Sequence, residues 1–128
     1  MEIISVKAST EYNVCIGQGL IDKVGELLAE TVKKSTAFVV SDENVFRLYG
    51  ARVLRSLGDA GFKTAKFVFE PGEQSKNIAT FGMIAEKMAA EKLTRSDVVI
   101  ALGGGVAGDM AGFAAATFLR GIRYGSPR

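Results

Sequence analysis

A run of glycines after a short apolar segment constrains the fold of this chain more than any other feature. Residues 98–102, VVIAL, are apolar and rich in β-branched side chains, which predicts a strand buried on both faces. Three consecutive glycines follow at 103–105, with a fourth at 108. Residues 106–119 are again mostly apolar and rich in alanine, which favours a buried helix. The sequence therefore predicts a strand, a glycine turn and a helix in succession.

This glycine turn has the spacing of a dinucleotide-binding fingerprint. Gly103, Gly105 and Gly108 follow the pattern GxGxxG between a predicted strand and a predicted helix. The free N–H groups and the dipole of a helix start favour a phosphate or pyrophosphate. The acid expected roughly twenty residues later is missing, and Asp109 stands where a P-loop requires lysine. The alternative is a tight turn whose small residues only pack a helix on a sheet.

The composition limits the class of protein. The 128 residues suffice for one domain with an apolar core. The chain has no apolar segment long enough to span a membrane and no pattern of a signal peptide, so we expect a cytoplasmic protein that contacts no membrane. A net charge of +2 gives no reason to expect nucleic-acid binding. The single Cys15 excludes an internal disulfide, and the absence of histidine removes the commonest zinc ligand.

Apolar periodicity predicts strands that alternate with helices. We expect strands over 3–8, 12–16, 36–40, 64–69 and 98–102, the first two paired through 9–11, and helices over about 20–32, 45–57, 78–92 and 106–119. Gly58 and Gly61 are expected to end the second of these helices. The predicted apolar helix faces include Val45, Leu48, Tyr49, Val53 and Leu57, and then Ile78, Phe81, Ile84, Ala85 and Met88. The pattern indicates an α/β fold with a Rossmann-like, mainly parallel sheet, helices on both faces and N-terminal paired strands.

Polar loops follow three of the predicted strands, at residues 42–44, 70–76 and 103–109. Ligands of such sheets bind at the carboxyl ends of the strands, so these loops are expected on one rim. Asp42 is placed to accept hydrogen bonds from ribose hydroxyls, in the role of the acid missing after the glycine turn. The alternative for Asp42 is a helix N-cap, which contributes about 1 kcal/mol.

Three separated stretches resemble one family. They are SDENV at 41–45, PGEQSK at 71–76, and GGGVAGD at 103–109 with its continuation through GFAAAT to RGIRY at 120–124. Together they resemble the N-terminal domain of 3-dehydroquinate synthase. Related sugar-phosphate cyclases and glycerol or iron-containing alcohol dehydrogenases share the fold and the glycine turn. We expect the domain over residues 1–124 and an atypical tail over 125–128.

The resemblance implies an NAD site on two of the loops. Asp42 and Asn44 resemble the positions that hold the adenosine ribose and neighbouring groups of NAD. Glu73 and Lys76 resemble the pair on the PGExxK loop that also contacts the cofactor.

The resemblance also assigns roles around the glycine turn. Gly104 and Gly105 match the glycines that face the pyrophosphate, and Asp109 matches the acid in the first turn of the following helix. Arg120 resembles a contact to the substrate phosphate. The alternatives are a carboxylate near a helix N-terminus for Asp109, and a cation at a helix C-terminus for Arg120.

The family reaction implied by the resemblance is a lyase reaction of the shikimate pathway, in aromatic amino-acid biosynthesis. NAD oxidises a hydroxyl of 3-deoxy-arabino-heptulosonate 7-phosphate, phosphate is eliminated, the carbonyl is reduced again and the opened ring closes to 3-dehydroquinate. A divalent metal, zinc or cobalt, is held by a glutamate and two histidines of a C-terminal domain, and those ligands are absent here.

We therefore expect a truncated cofactor domain without synthase turnover. Its partners would be NAD and, in the full-length enzyme, the sugar-phosphate substrate, and it would form a homodimer or self-associate. Two alternatives stay open: the NAD-binding domain of a related polyol or glycerol dehydrogenase, and a non-catalytic structural domain whose glycine turn only packs.

Overall fold

Strands and helices alternate along most of the chain in the computed structural model, which describes residues 2–8, 13–30, 35–94 and 96–116. The strands are β1 Glu2–Ala8, β2 Asn13–Gly17, β3 Thr36–Asp42, β4 Lys63–Phe69 and β5 Val98–Leu102. The helices are α1 Val24–Ala29, α2 Glu43–Val45, α3 Ala51–Asp59, α4 Ile78–Ala90 and α5 Gly105–Ala114. A 3-10 turn, Gln18–Lys23, precedes α1 and takes the place of the first part of the predicted helix.

The five strands form one sheet in the order β2-β1-β5-β3-β4. β3 pairs in parallel with both β4 and β5, whereas β1 pairs antiparallel with β2 and with β5. The predicted pairing of the two N-terminal strands is therefore confirmed, and so is the α/β fold with a parallel sheet. The predicted connection at residues 9–11 lies outside the described residues.

Apolar side chains cover both faces of the parallel strands. Because successive residues of a strand point to opposite faces, Val39 and Ile100 face one side and Phe38 and Val99 the other. The α1–α3 cluster on the first side also contains Ile21, Val24, Leu28, Val53 and Leu57. The α4–α5 cluster on the second side also contains Ile84, Met88, Ala107, Met110, Ala111 and Ala114. All five residues of β5 are buried, as the apolar run predicts.

The helix after β3 is interrupted by a wider π turn, Phe46–Gly50, between α2 and α3. Apolar residues of this helix recur at every fourth position, a spacing longer than the α-helical repeat of about 3.6 residues. They are Val45, Tyr49, Val53 and Leu57. The wider turn keeps Tyr49 and Val53 on the core side while it rotates Leu48 away. The prediction that Leu48 belongs to the apolar face is wrong, since this side chain is 62% exposed.

The end of α3 and the start of α4 test two predictions. α3 continues through Gly58, and Gly61, with φ of 100°, ends it; the Phe62 N–H donates to the Leu57 carbonyl across this turn. The prediction that Gly58 helps to end this helix is therefore wrong. The predicted helix that begins at Ile78 is confirmed, and within it Ile78, which is 88% exposed, and Ala85 lie on the exposed side.

A buried aspartate ties the amino ends of β3 and β5 together. Asp97 accepts hydrogen bonds from the Thr36 N–H and the Thr94 N–H, both at 2.8 Å. The Thr94 hydroxyl donates to the same carboxylate at 3.4 Å. Asp97 thus accepts hydrogen bonds from backbone donors at the amino ends of the strands, opposite to the end that carries the polar loops.

Candidate functional site

The loops after β3, β4 and β5 begin side by side. Ser41 is in register with Leu102, and Asp42 is in register with Phe69, at the carboxyl ends of these strands. The three polar loops therefore lie on one rim of the sheet, as the sequence predicts.

The chain reverses its winding between β3 and β5. The helix after β3 packs in the α1–α3 cluster, whereas α5, which follows β5, packs in the α4–α5 cluster on the other face. The connections thus leave neighbouring parallel strands toward opposite faces of the sheet, at the point where Asp42 and the glycine turn lie. Such switch points are where open α/β sheets bind ligands.

The glycine turn leaves space around three of its glycines. Gly103 has φ of 138°, a conformation that an L side chain rarely adopts, and α5 begins at Gly105 after an N-cap, Gly104, that makes no side-chain hydrogen bond. A Cβ on Gly104, Gly105 or Gly108 would meet no described atom within 4 Å. Packing against the described residues therefore does not require glycine at these three positions.

The two carboxylate oxygens of Asp42 face different parts of the site, one the helix α2 and the other the glycine turn. Its Oδ1 accepts a hydrogen bond from the Val45 N–H at 2.8 Å, so Asp42 is the N-cap of α2. Its Oδ2 lies 3.9 Å from the position that a Cβ on Gly103 would take. The same carboxylate therefore caps the helix and presents an oxygen beside the glycine turn. The neighbouring Asn44 is exposed, and its Oδ1 accepts from Arg47 Nη1 at 3.4 Å.

Lys76 joins the loop after β4 to helix α5. Its Nζ lies 3.0 Å from Asp109 Oδ2 and 3.8 Å from Glu73 Oε1. The hydrogen bond to Asp109 raises the pKa of Lys76 above its usual value, with further contributions from the charges of Asp109 and Glu73. Three of the predicted cofactor residues are thus brought together in one charged group, a pairing that the sequence alone did not predict.

Backbone geometry and local hydrogen bonds shape the loop that carries Lys76. Gly72 has φ of 114°, which favours glycine, and it follows Pro71 in the predicted turn. Ser75 is buried and its hydroxyl donates to the Glu70 carbonyl. Asn77 then caps α4, since its Oδ1 accepts from the Thr80 N–H at 2.9 Å.

Asp109 lies later in its helix than expected. α5 begins at Gly105, so Asp109 is its fifth residue and falls beyond the first turn. The expectation of an acid in the first turn is wrong, and the stabilisation of a carboxylate by the helix dipole, which is confined to that turn, is weak here. The ion pair with Lys76 is the main interaction that the structure gives this carboxylate.

Arg120, the expected contact to the substrate phosphate, lies outside the described residues. Within residues 2–8, 13–30, 35–94 and 96–116, no group of three histidine, cysteine, aspartate or glutamate side chains is arranged to hold a metal ion, and the whole sequence contains no histidine. The described residues thus do not fit the divalent metal of the family that the chain resembles. No helix of the described part is long and apolar enough to cross a membrane.

Val45 is a member of this site that the sequence did not single out. Its N–H fixes the Asp42 carboxylate, and its Cγ2 would lie 3.7 Å from a Cβ on Gly103. The signal was its spacing, because the third residue after an aspartate N-cap is where the capping hydrogen bond is donated.

Comparison with known proteins gives consistent matches. Residues 66–126 match the family described as 3-dehydroquinate synthase N-terminal. The 3-dehydroquinate synthase of Gloeobacter violaceus is 50% identical over 112 residues, which cover 88% of this chain and 31% of that protein. Those of Clostridium kluyveri and Enterococcus faecalis are 41% and 40% identical over 94% and 97% of this chain. The chain spans about a third of the length of the curated relatives it matches.

Proposed function

The chain belongs to the 3-dehydroquinate synthase family, to whose N-terminal part it corresponds, and from this premise we propose that it is the NAD-binding domain of such an enzyme. The observation that carries the proposal is the open glycine turn with Asp42 Oδ2 beside it, at the point where the winding of the sheet reverses. Dinucleotides bind at such a point with their pyrophosphate at a helix N-terminus.

Each loop of the rim has a proposed part in holding NAD. The N–H groups at the start of α5, beside Gly104 and Gly105, hold the pyrophosphate, because a helix start carries unpaired donors and a positive partial charge. Asp42 Oδ2 accepts from ribose hydroxyls, with Asn44 beside it.

The charged group on the neighbouring loop has a second proposed part. Lys76 and Glu73, with Asp109, hold the hydroxyl and phosphate groups of the cofactor further along the rim. The Lys76 ammonium is a donor suited to phosphate or hydroxyl oxygens, and the two carboxylates accept from hydroxyls. Arg120 is proposed as a contact to the substrate phosphate.

For the whole enzyme we propose the family reaction, in which a heptulosonate 7-phosphate is converted to 3-dehydroquinate and phosphate. NAD, when bound, accepts and returns a hydride. The residues of this chain bind and orient it, and the described residues do not fit a metal site. We accordingly propose that the 128-residue chain binds NAD without turnover, and phosphate release from the heptulosonate phosphate by the purified chain would refute this second part.

Calorimetric titration with NAD tests the binding. We expect saturable binding by the wild type and weaker binding by Asp42→Ala. Asp42→Ser separates the two roles of the carboxylate, because serine also caps helices but lacks the second oxygen. Hydrogen bonds to a charged group contribute about 1.5–3 kcal/mol, so this variant should lose about tenfold or more in affinity while it keeps its stability.

Asp59→Ala, an exposed acid on α3, is the matched control and should bind as the wild type does. Absence of saturable NAD binding by a folded wild-type chain would refute the proposal and favour the structural-domain alternative. Equal affinities of wild type and Asp42→Ser would refute the role of Asp42.

A further inference from the structure

Helices α4 and α5 pack together in the α4–α5 cluster and also touch through two more exposed contacts that follow one another along α5. The first is the ion pair between Lys76, just before α4, and Asp109. The second is a stacked pair of rings, Phe81 on α4 and Phe113 on α5, whose centroids are 4.2 Å apart with 30° between their planes. Asp109 and Phe113 are four residues apart, and such residues lie on the same face of a helix.

The ion pair is too exposed to fix the two helices by itself. The side chains of Lys76 and Asp109 are 36% and 61% exposed, and water and salt screen charges in such positions. Glu73 offers the Lys76 ammonium a second carboxylate on its own loop, at 3.8 Å. The buried α4–α5 cluster sets how the two helices pack, so the contact that sets where Lys76 lies relative to Asp109 must act close to the ion pair.

The ring stack has the properties required of that contact. Phe81 packs against the α4–α5 cluster, so its ring has a fixed base on the core. Phe113 is 44% exposed, so it contributes less to the core than a buried residue, while stacking still imposes a preferred offset and separation on the rings. The stack lies one helical turn beyond the ion pair, which is close enough to set the geometry of both charged groups.

We propose that the Phe81–Phe113 stack is the positioning element that holds Lys76 beside Asp109 at the proposed NAD site. The inference rests on the proposed function for its link to NAD, whereas the positioning of the ion pair is measurable without any cofactor. Without the stack, the Lys76 ammonium exchanges between Asp109 and Glu73. NAD must then order the loop that carries Lys76 when it binds, which weakens its affinity.

The test compares variants of the 128-residue chain. Phe113→Leu keeps an apolar side chain but removes the ring, and Phe113→Tyr keeps the ring. Met83→Ala is the control, because Met83 is an exposed apolar residue on α4, 55% exposed, outside the stack. Phe81→Leu repeats the test from the other helix if Phe113→Leu does not fold.

The first readout is the nitrogen-15 NMR chemical shift of the Lys76 ammonium, which depends on the carboxylate to which it donates. Asp109→Asn supplies the reference shift of an ammonium whose remaining carboxylate partner in this group is Glu73. We expect the wild-type shift in Phe113→Tyr and Met83→Ala, and a shift toward that of Asp109→Asn in Phe113→Leu. A merely structural role of Phe113 would leave this signal unchanged in a folded variant.

The second readout is NAD affinity by calorimetric titration. Phe113→Leu should bind NAD about tenfold more weakly, which is the order of effect that one aromatic pair supplies. Phe113→Tyr should bind NAD as the wild type does. An unchanged Lys76 signal in folded Phe113→Leu, or an equal loss of affinity in Met83→Ala, would overturn the proposal. If the wild type binds no NAD while the Lys76 signal still depends on the ring, the proposed function fails and the positioning of the pair is supported.

Discussion

Substitution of Gly105 by alanine should change stability and NAD binding in opposite directions. Gly105 is the first residue of α5, and a Cβ on it would meet no atom of the described residues within 4 Å. Alanine is favoured over glycine in helices by up to about 1 kcal/mol, with a smaller gain at the first position, so we expect the variant to be as stable as the wild type or slightly more stable.

The same methyl group would occupy the surface on which we propose that the pyrophosphate lies. A ligand displaced by one carbon loses at least one good hydrogen bond to the helix start, and a hydrogen bond to a charged group contributes about 1.5–3 kcal/mol. We therefore expect NAD affinity to fall by about tenfold or more. Urea unfolding measures the first effect and calorimetric titration the second.

Gly82→Ala is the matched control for this substitution. Gly82 lies inside α4, and a Cβ on it also meets no described atom within 4 Å. This variant should gain about 0.5–1 kcal/mol of stability and bind NAD as the wild type does. If Gly105→Ala bound NAD with unchanged affinity, the pyrophosphate would not lie on this turn, and the reasoning from the open glycine surface would be refuted.

Three further predictions concern the domain as a whole. Asp97→Ala should lower the free energy of unfolding by about 2 kcal/mol in urea titrations, because it leaves two partly buried backbone donors, the N–H groups of Thr36 and Thr94, without their acceptor; a loss below about 1 kcal/mol would contradict this. The Arg52 hydrogen bond lowers the pKa of Asp22 from 3.8, so their pair contributes stability above that pH and loses it as pH falls through the lowered pKa. The difference in unfolding free energy between wild type and Arg52→Gln should therefore shrink in acid, and a constant difference would refute the link. Exposed apolar side chains such as Ile78 should make the chain self-associate, and a monomeric sedimentation profile at high protein concentration would count against it.

The fold was predictable where one signal dominated. The apolar run of β5 is short, rich in β-branched residues and followed by glycines, which favours a strand covered on both faces over a buried helix. The exposure of Leu48 was not predictable in this way, because a fixed helical period does not register a π turn. The exposure of Ile78 was not predictable either, because periodicity tells which side of a helix is apolar, but not where the helix passes beyond the sheet that it covers.

At the candidate site, the sequence does not show that one residue can have two roles. It offers a helix cap and a ligand contact as alternatives for Asp42, but a carboxylate has two oxygens and the cap uses only Oδ1. The Val45 N–H holds that oxygen, and this fixes the direction of Oδ2 toward Gly103. Because the cap has already ordered the carboxylate, a ribose that binds to it need not immobilise a free side chain. The helix cap is therefore an argument for the proposed cofactor contact, since the interaction that stabilises α2 also orients the oxygen that the ligand would use.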